Sequence, residues 1–316
     1  MTSNCLRKIA LLGKQFWTSI LWCVATSNQQ PATRVQHVEF FHKDHFENNY
    51  HRVYTTGELS NFIDFFWETD FDELWSQYPK GFSDALFPNI GYTYLINLGT
   101  PFVMQVEEEK FEMKGDGFLP RPTSIECFHQ KGNRIFGIKF KVSPVIFDKQ
   151  VNFSEYQQYI FPLSYLMDEK IIKKIKSLGS FDKRVKMLSG HYETIIREHA
   201  DAFAPVKIVT NILRRVQTEN AFSISIESFA KECGVSSRTL QRYFEKATGI
   251  SSKKAIQIMR IRKAVAHLAN EPSTFHYSEY GYYDHSHFYK HLKKFLQKST
   301  LKNLQPHLEL LKGLHK

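Results

Sequence analysis

The sequence predicts an α+β chain of two domains: an N-terminal mixed domain built on a small antiparallel β-sheet or barrel with flanking helices, then an all-α domain. Three observations predict this. The 316 residues are 42% hydrophobic, long enough for two cores and too apolar for a disordered chain. The hydrophobic period is two between about 50 and 145 and three to four from about 145 onward. Charge is also divided. From Pro205 to the end, 19 Lys and Arg stand against 8 Asp and Glu, while the rest of the chain carries 23 against 24. The whole net charge of +10 therefore belongs to the last third. A basic domain beside a neutral one is the electrostatic footprint of a nucleic-acid binder.

The first 34 residues read as a tail of uncertain role. Arg7 and Lys8 precede the apolar runs Ile9–Leu12 and Ile20–Ala25, with Phe16 and Trp17 between. The pattern resembles a weak signal peptide or anchor, but Lys14 and Gln15 break a run already short for a membrane span. A tail that packs on the domain or frays, and a cytoplasmic location, are expected. The four cysteines (Cys5, Cys23, Cys127, Cys233) form no CxxC pair, which suits a reducing compartment and suggests neither zinc nor a disulfide framework.

Residues 35–200 are expected to form the regulatory, effector-binding or dimerising domain. Leu59, Phe62, Ile63 and Phe66 lie at helical spacing and predict a short helix over about 59–67. Tyr92–Leu98 is β-branched and aromatic, with Gly99-Thr-Pro101 ending it and Phe102–Val106 following at hairpin distance. Gly115-Asp-Gly117 signals a turn. Arg134–Lys141 alternates, with Ile135, Gly137 and Lys139 opposite Phe136, Ile138 and Phe140. Val185, Leu188, Tyr192, Ile195 and Ile196 then predict a helix.

Ala204-Pro205 marks the domain boundary. Residues 205–304 are expected to be the DNA-binding domain and 305–316 a C-terminal tail. Val209, Ile212, Leu213 and Val216 form one helical stripe. Ile258, Ile261, Ala264, Val265 and Leu268 form another, on a long helix over about 252–269.

Within this domain two stretches repeat. Leu240 and Phe244 of the first recur as Phe288 and Leu292 of the second, both 48 residues on, with the second turn one residue longer. Each has the mechanics of a helix-turn-helix. Ala230 is small where two helices would cross. Gly234 and Gly281 suit a sharp turn with positive φ. Ser236 and Asp284 can cap the second helices. Val235, Leu240 and Phe244 bury one face, leaving Arg238, Gln241, Arg242 and Lys246 on the other. The second unit exposes His285, Ser286, Tyr289 and Lys290, then Lys293 and Lys294. Arg and Gln read guanine and adenine edges in the major groove.

These residues resemble the AraC/XylS family of bacterial transcription regulators. The resemblance rests on Ala230–Gly249, on Arg260 and Ala264, and on Gly281-Tyr-Tyr-Asp-His-Ser-His-Phe288. It implies seven helices in two helix-turn-helix subdomains, with two recognition helices in successive major grooves about 34 Å apart. By position it implies Arg238, Gln241, Arg242, His285, Ser286 and Lys290 as base readers, and Ser237, Lys246, Lys253 and Lys293 as phosphate contacts. Double-stranded DNA is the expected partner; RNA polymerase, a small-molecule effector and a second copy of the chain are candidates. The chain departs from the family at His276-Tyr277, where an aliphatic-Ala pair is usual. It departs again at Gly249-Ile-Ser-Ser252 and Gln297-Lys-Ser-Thr300, which lack the proline that usually follows each recognition helix. A fainter resemblance to family sensory domains involves Leu59–Trp67, Phe87–Gly91 with Leu95–Leu98, Gly115–Thr123 and Phe136–Phe140.

No enzyme activity and no cofactor are expected. P-loop, dinucleotide and nucleophile-elbow motifs are absent from the sequence. The alternative is a β-domain enzyme or metal-binding protein fused to a DNA-binding module, with His37, His42, His45 and His51 as its sequence cluster. His287 and His291 are i, i+4 neighbours but have no acid between them, so the metalloprotease pattern is missing.

Overall fold

A strand whose two faces are both buried loses its polar alternation, and that accounts for much of the N-terminal half. The computed structural model describes residues 39–40, 45, 49–106, 108–144, 160–199, 203–271 and 273–295. Among the described residues, eleven strands form two antiparallel sheets: β1 (Glu39–Phe40), β2 (Tyr50–Tyr54), β3 (Ile63–Asp70), β4 (Ser83–Leu86), β5 (Tyr92–Asn97), β6 (Phe102–Val106), β7 (Glu109–Met113), β8 (Gly117–Pro120), β9 (Ile125–Phe128), β10 (Arg134–Phe140) and β11 (Phe161–Pro162). One sheet runs β1-β4-β9-β6-β7 and the other β11-β8-β5-β10-β3-β2. A short helix, α1 (Asp72–Gln77), follows β3.

The alternation in β10 shows how the layers stack. Phe136, Ile138 and Phe140 join one core with the helices, while Ile135 joins a second core with Phe102, Met104 and Cys127 of the five-stranded sheet. The six-stranded sheet is thus the middle of three layers. Gly137 leaves room for the Trp67 indole, since a Cβ there would lie 2.1 Å from it.

Two expectations are corrected here. The helix over 59–67 is instead a 3-10 turn at Gly57–Asn61 followed by β3. All but the last residue of β3 is buried, and a strand buried on both faces reads as a continuous apolar run that spacing cannot tell from a helix. The hairpin of 92–98 with 102–106 does not form. β5 pairs with β8 and β10, and β6 with β7 and β9, so Gly99–Pro101 carries the chain from one sheet to the other. Close packing requires glycine there: a Cβ on Gly99 would lie 2.1 Å from the Gly132 carbonyl.

The helices are α2 (Glu169–Ser177), α3 (Phe181–Glu198), α4 (Ala204–Thr218), α5 (Ile226–Glu232), α6 (Ser237–Thr248), α7 (Ser252–Asn270) and α8 (His285–Phe295). Helix α3 is fastened to the middle sheet by a buried ion network: Arg184 Nη1 lies 2.8 Å from Glu68 Oε2, and Arg134 holds the other oxygen. Helix α4 starts with Pro205 in its first turn and buries Val209, Ile212, Leu213 and Val216. The predicted stripe of α7 is fully buried. Ile258, Ile261, Val265 and Leu268 each contribute roughly 1.5–3 kcal/mol, so α7 is the spine of the C-terminal half. One core runs from the middle sheet into this half. Residues 1–38 and 296–316, with the two tails and His37, lie outside the described residues, as does His42.

Candidate nucleic-acid interface

Both repeats fold as helix-turn-helix units. In the first, α5 is capped by Ser225, Ala230 is buried at the crossing, and Gly234 turns the chain at φ +66°. Ser236 accepts the Thr239 N–H at 3.1 Å and starts α6. Gly249 ends α6 at φ +72°, its N–H bonded to the Glu245 carbonyl. In the second, a single 3-10 turn at Tyr277–Tyr280 replaces the first helix, Gly281 turns at φ +69°, and Asp284 Oδ1 accepts the His287 N–H at 2.6 Å to start α8. The bulky Tyr277 thus coincides with a shortened first helix.

The exposed face of α6 carries Arg238, Arg242 and Lys246 at successive four-residue steps, so three cations share one stripe. Ser237 is half-buried at the first helical position, and Lys253 is exposed in the first turn of α7. On α8, Ser286, Lys290, Lys293 and Lys294 are exposed. His285 is half-buried with its ring stacked on Tyr289, and Lys293 Nζ lies 4.6 Å from the centre of that same ring. Phe288, Leu292 and Phe295 face inward.

Gln241 occupies a different place from the other predicted base readers. Its Oε1 accepts the Ser252 hydroxyl at 2.6 Å and the Ser252 N–H at 3.4 Å, and its Nε2 donates to Glu245. The reason lies in the missing proline. A proline at the first position of α7 would have no N–H to satisfy. Ser252 has one, and Gln241 accepts it while tying α6 to α7.

Sequence reasoning assigned no role to the side chains that brace the second unit. The Arg260 guanidinium stacks over Tyr282 at 4.5 Å and donates to the Gly281 carbonyl. The Tyr282 hydroxyl bonds His291 Nδ1 at 2.7 Å. Burial, then the charges of Arg260, His287, Lys294 and Lys254, push the His291 pKa down to about 4, so it is neutral at pH 7. His267 of α7 pairs with the Tyr280 hydroxyl at 2.8 Å, whose pKa burial pushes up to about 12. The signal was a run of polar-tipped aromatics at positions that must face inward.

Two histidines of the N-terminal cluster, His45 and His51, are among the described residues. His45 is buried against Phe71 and bonded to Thr69, while His51 is exposed on β2. Among the described residues no group of three potential metal ligands occurs, and no helix is long and apolar enough to cross a membrane.

The first unit also meets the N-terminal half directly. The Tyr92 hydroxyl donates to the Thr248 carbonyl, and the Ser143 N–H to the Ala247 carbonyl. Arg262 of α7 is buried and donates to the carbonyls of Phe87 and Pro88 at 3.2 and 2.7 Å.

A family model described as a helix-turn-helix domain matches residues 229–301, which span both units. No curated protein matches the chain by sequence. Among solved structures, ToxT from Vibrio cholerae O395 is similar at 11% identity, covering 78% of this chain and 92% of that one, with a TM-score of 0.37. Wild-type ToxT from Vibrio cholerae strain SCE256, bound to an unsaturated fatty acid, is similar at 11% identity, 68% and 88% coverage and TM-score 0.36. The AraC-like transcriptional activator CuxR is similar at 11% identity, 71% and 90% coverage and TM-score 0.23. Likenesses this distant assign no residue a role. The C-terminal part of the chain carries a helix-turn-helix domain.

Proposed function

We propose that the chain is a sequence-specific transcription regulator that lays α6 and α8 in two successive major grooves. One observation carries the reading. Two capped helices, each after a positive-φ glycine turn, present basic faces and are spaced by one buried helix. Helix α7 has 19 residues and so extends about 28 Å, comparable with the ~34 Å between successive turns of a groove. Arg238 and Arg242 read bases from α6, and Ser286 and Lys290 from α8, with His285 at its edge. Ser237, Lys246, Lys253 and Lys293 hold phosphates. Gln241 positions α6 on α7.

The division at about 200–204 separates this DNA-binding half from a regulatory half, which takes a small-molecule effector as input. RNA polymerase and a second copy of the chain are the protein partners this reading calls for. Selection of bound fragments from a genomic library by the full-length protein tests it. Enrichment of sites with two half-motifs one turn apart is expected; a single short motif would show that only one unit reads DNA.

A further inference from the structure

Among the described residues, the most exposed large hydrophobic side chain is that of Tyr283, at 91%; Tyr165 follows at 54%. Tyr283 lies in the turn between Gly281 and α8, next to the Asp284 cap. A single exposed aromatic is ordinary on a protein surface, so exposure decides nothing without the surroundings.

Those surroundings are specific. The backbone of Tyr283 is fixed although its ring is uncovered. Its N–H donates to His287 Nδ1 at 3.4 Å, while the His287 N–H donates back to Asp284 Oδ1 at 2.6 Å. The turn and the start of α8 are thus tied to each other much as in a capping box. Only the two torsions of the tyrosine side chain are left to order on binding, a small entropic cost for a large contact area. Tyr283 also continues the exposed stripe of α8, with Ser286, Lys290 and Lys293 following at steps of three, four and three residues.

Charge changes along that stripe. From Gly281 to Ser286 there is one carboxylate, Asp284, and no Lys or Arg, whereas Lys290, Lys293 and Lys294 lie further along the helix. Lysines suit phosphates, and an aromatic ring beside a carboxylate does not. A recognition helix meets base edges with its N-terminal residues. Among the groups that bases display in the major groove, the apolar one is the thymine 5-methyl.

We propose that Tyr283 determines specificity, its ring packing on the 5-methyl of a thymine in the groove that α8 enters. The proposal rests on the DNA-binding reading above and adds to it a base read without a hydrogen bond. The two units then differ in kind, α6 reading through guanidinium groups and the tip of α8 through an apolar contact.

The test uses the full-length protein and the duplex it selects from the genomic library. Each thymine is replaced in turn by deoxyuridine, which removes the methyl and leaves every hydrogen-bonding group in place. At a thymine of one half-motif, fluorescence anisotropy should show Kd about fourfold higher, the ratio for one methyl group no longer buried. Tyr283→Ala should bind the thymine duplex several-fold more weakly, lose the preference for thymine at that position alone, and bind a scrambled duplex as the wild type does. Tyr283→Phe should keep the preference. Thermal melts establish that both variants are folded. A Tyr283→Ala protein that still prefers thymine at every position overturns the proposal. So does an equal loss on selected and scrambled duplexes, which would place the ring against the sugar–phosphate backbone. Loss of the preference in Tyr283→Phe would give the contact to the hydroxyl and overturn the apolar assignment. A protein that selects no site refutes the DNA-binding reading, whereas a selected site indifferent to uracil refutes the role of Tyr283 alone.

Discussion

Arg242→Ala separates base reading from electrostatic attraction. Arg242 is exposed on α6, one turn from Arg238 and one from Lys246, and makes no hydrogen bond or ion pair with the described residues. Alanine and arginine have similar helix propensities, and an exposed change of this kind alters stability by about 0.5 kcal/mol or less. Any larger loss on DNA therefore belongs to the interface. A bidentate base contact is worth about 1–3 kcal/mol, which is about 5- to 150-fold in Kd. On random DNA the variant loses only one charge near the phosphates, and a base reader leaves the salt slope nearly unchanged. The assay is fluorescence anisotropy on the selected duplex and on a scrambled one, at several salt concentrations. A loss confined to the selected duplex is expected. An equal loss on both, with the salt slope down by about one, would move Arg242 to the phosphates and refute the assignment.

The other predictions follow from the same geometry. Lys293→Ala should weaken selected and scrambled duplexes alike and lower the salt slope by about 0.9; an unchanged slope removes it from the interface. Gln241→Ala should lower the melting temperature, because Ser252 loses its acceptor, and leave the ranking of DNA sites unchanged; altered site preference would return Gln241 to the base readers. Glu68→Leu leaves Arg184 buried without its carboxylate and should destabilise the N-terminal half by about 3–5 kcal/mol, read by denaturant unfolding; a loss below 1 kcal/mol would show that the network is not holding α3. His291 has a folded pKa of about 4, below its unfolded value of 6.5, so the unfolded state takes up the proton first. The stability its neutral form supplies is complete above pH 6.5 and is lost as the pH falls from there toward 4. His291→Gln should flatten this part of the stability profile, and an unchanged profile would assign the acid loss to other groups.

The sequence was most legible where burial is one-sided. The stripes of α4 and α7, the alternation of β10, the turn glycines 234 and 281 and the caps at Ser236 and Asp284 all stand where periodicity and turn chemistry put them. It was least legible in the middle sheet. There β3 is buried on both faces, so Ile63 and Phe66 kept a helical spacing in an extended chain. Crossing between sheets was hidden for a related reason. Gly99-Thr-Pro looks the same at a hairpin and at a sheet-to-sheet passage, and only the partner strands tell them apart. At the interface, side-chain type and position could be read, but competition within the protein could not. Gln241 has the chemistry of an adenine reader, yet the hydroxyl and N–H of Ser252, eleven residues on, take its oxygen.

The measurement closest to the central claim is hydroxyl-radical footprinting of the full-length protein on its selected site, repeated with Arg238→Ala/Arg242→Ala and with Ser286→Ala/Lys290→Ala. Two protected patches about one helical turn apart are expected, the α6 pair weakening one and the α8 pair the other. A single patch, weakened by only one of the pairs, would contradict two-groove recognition.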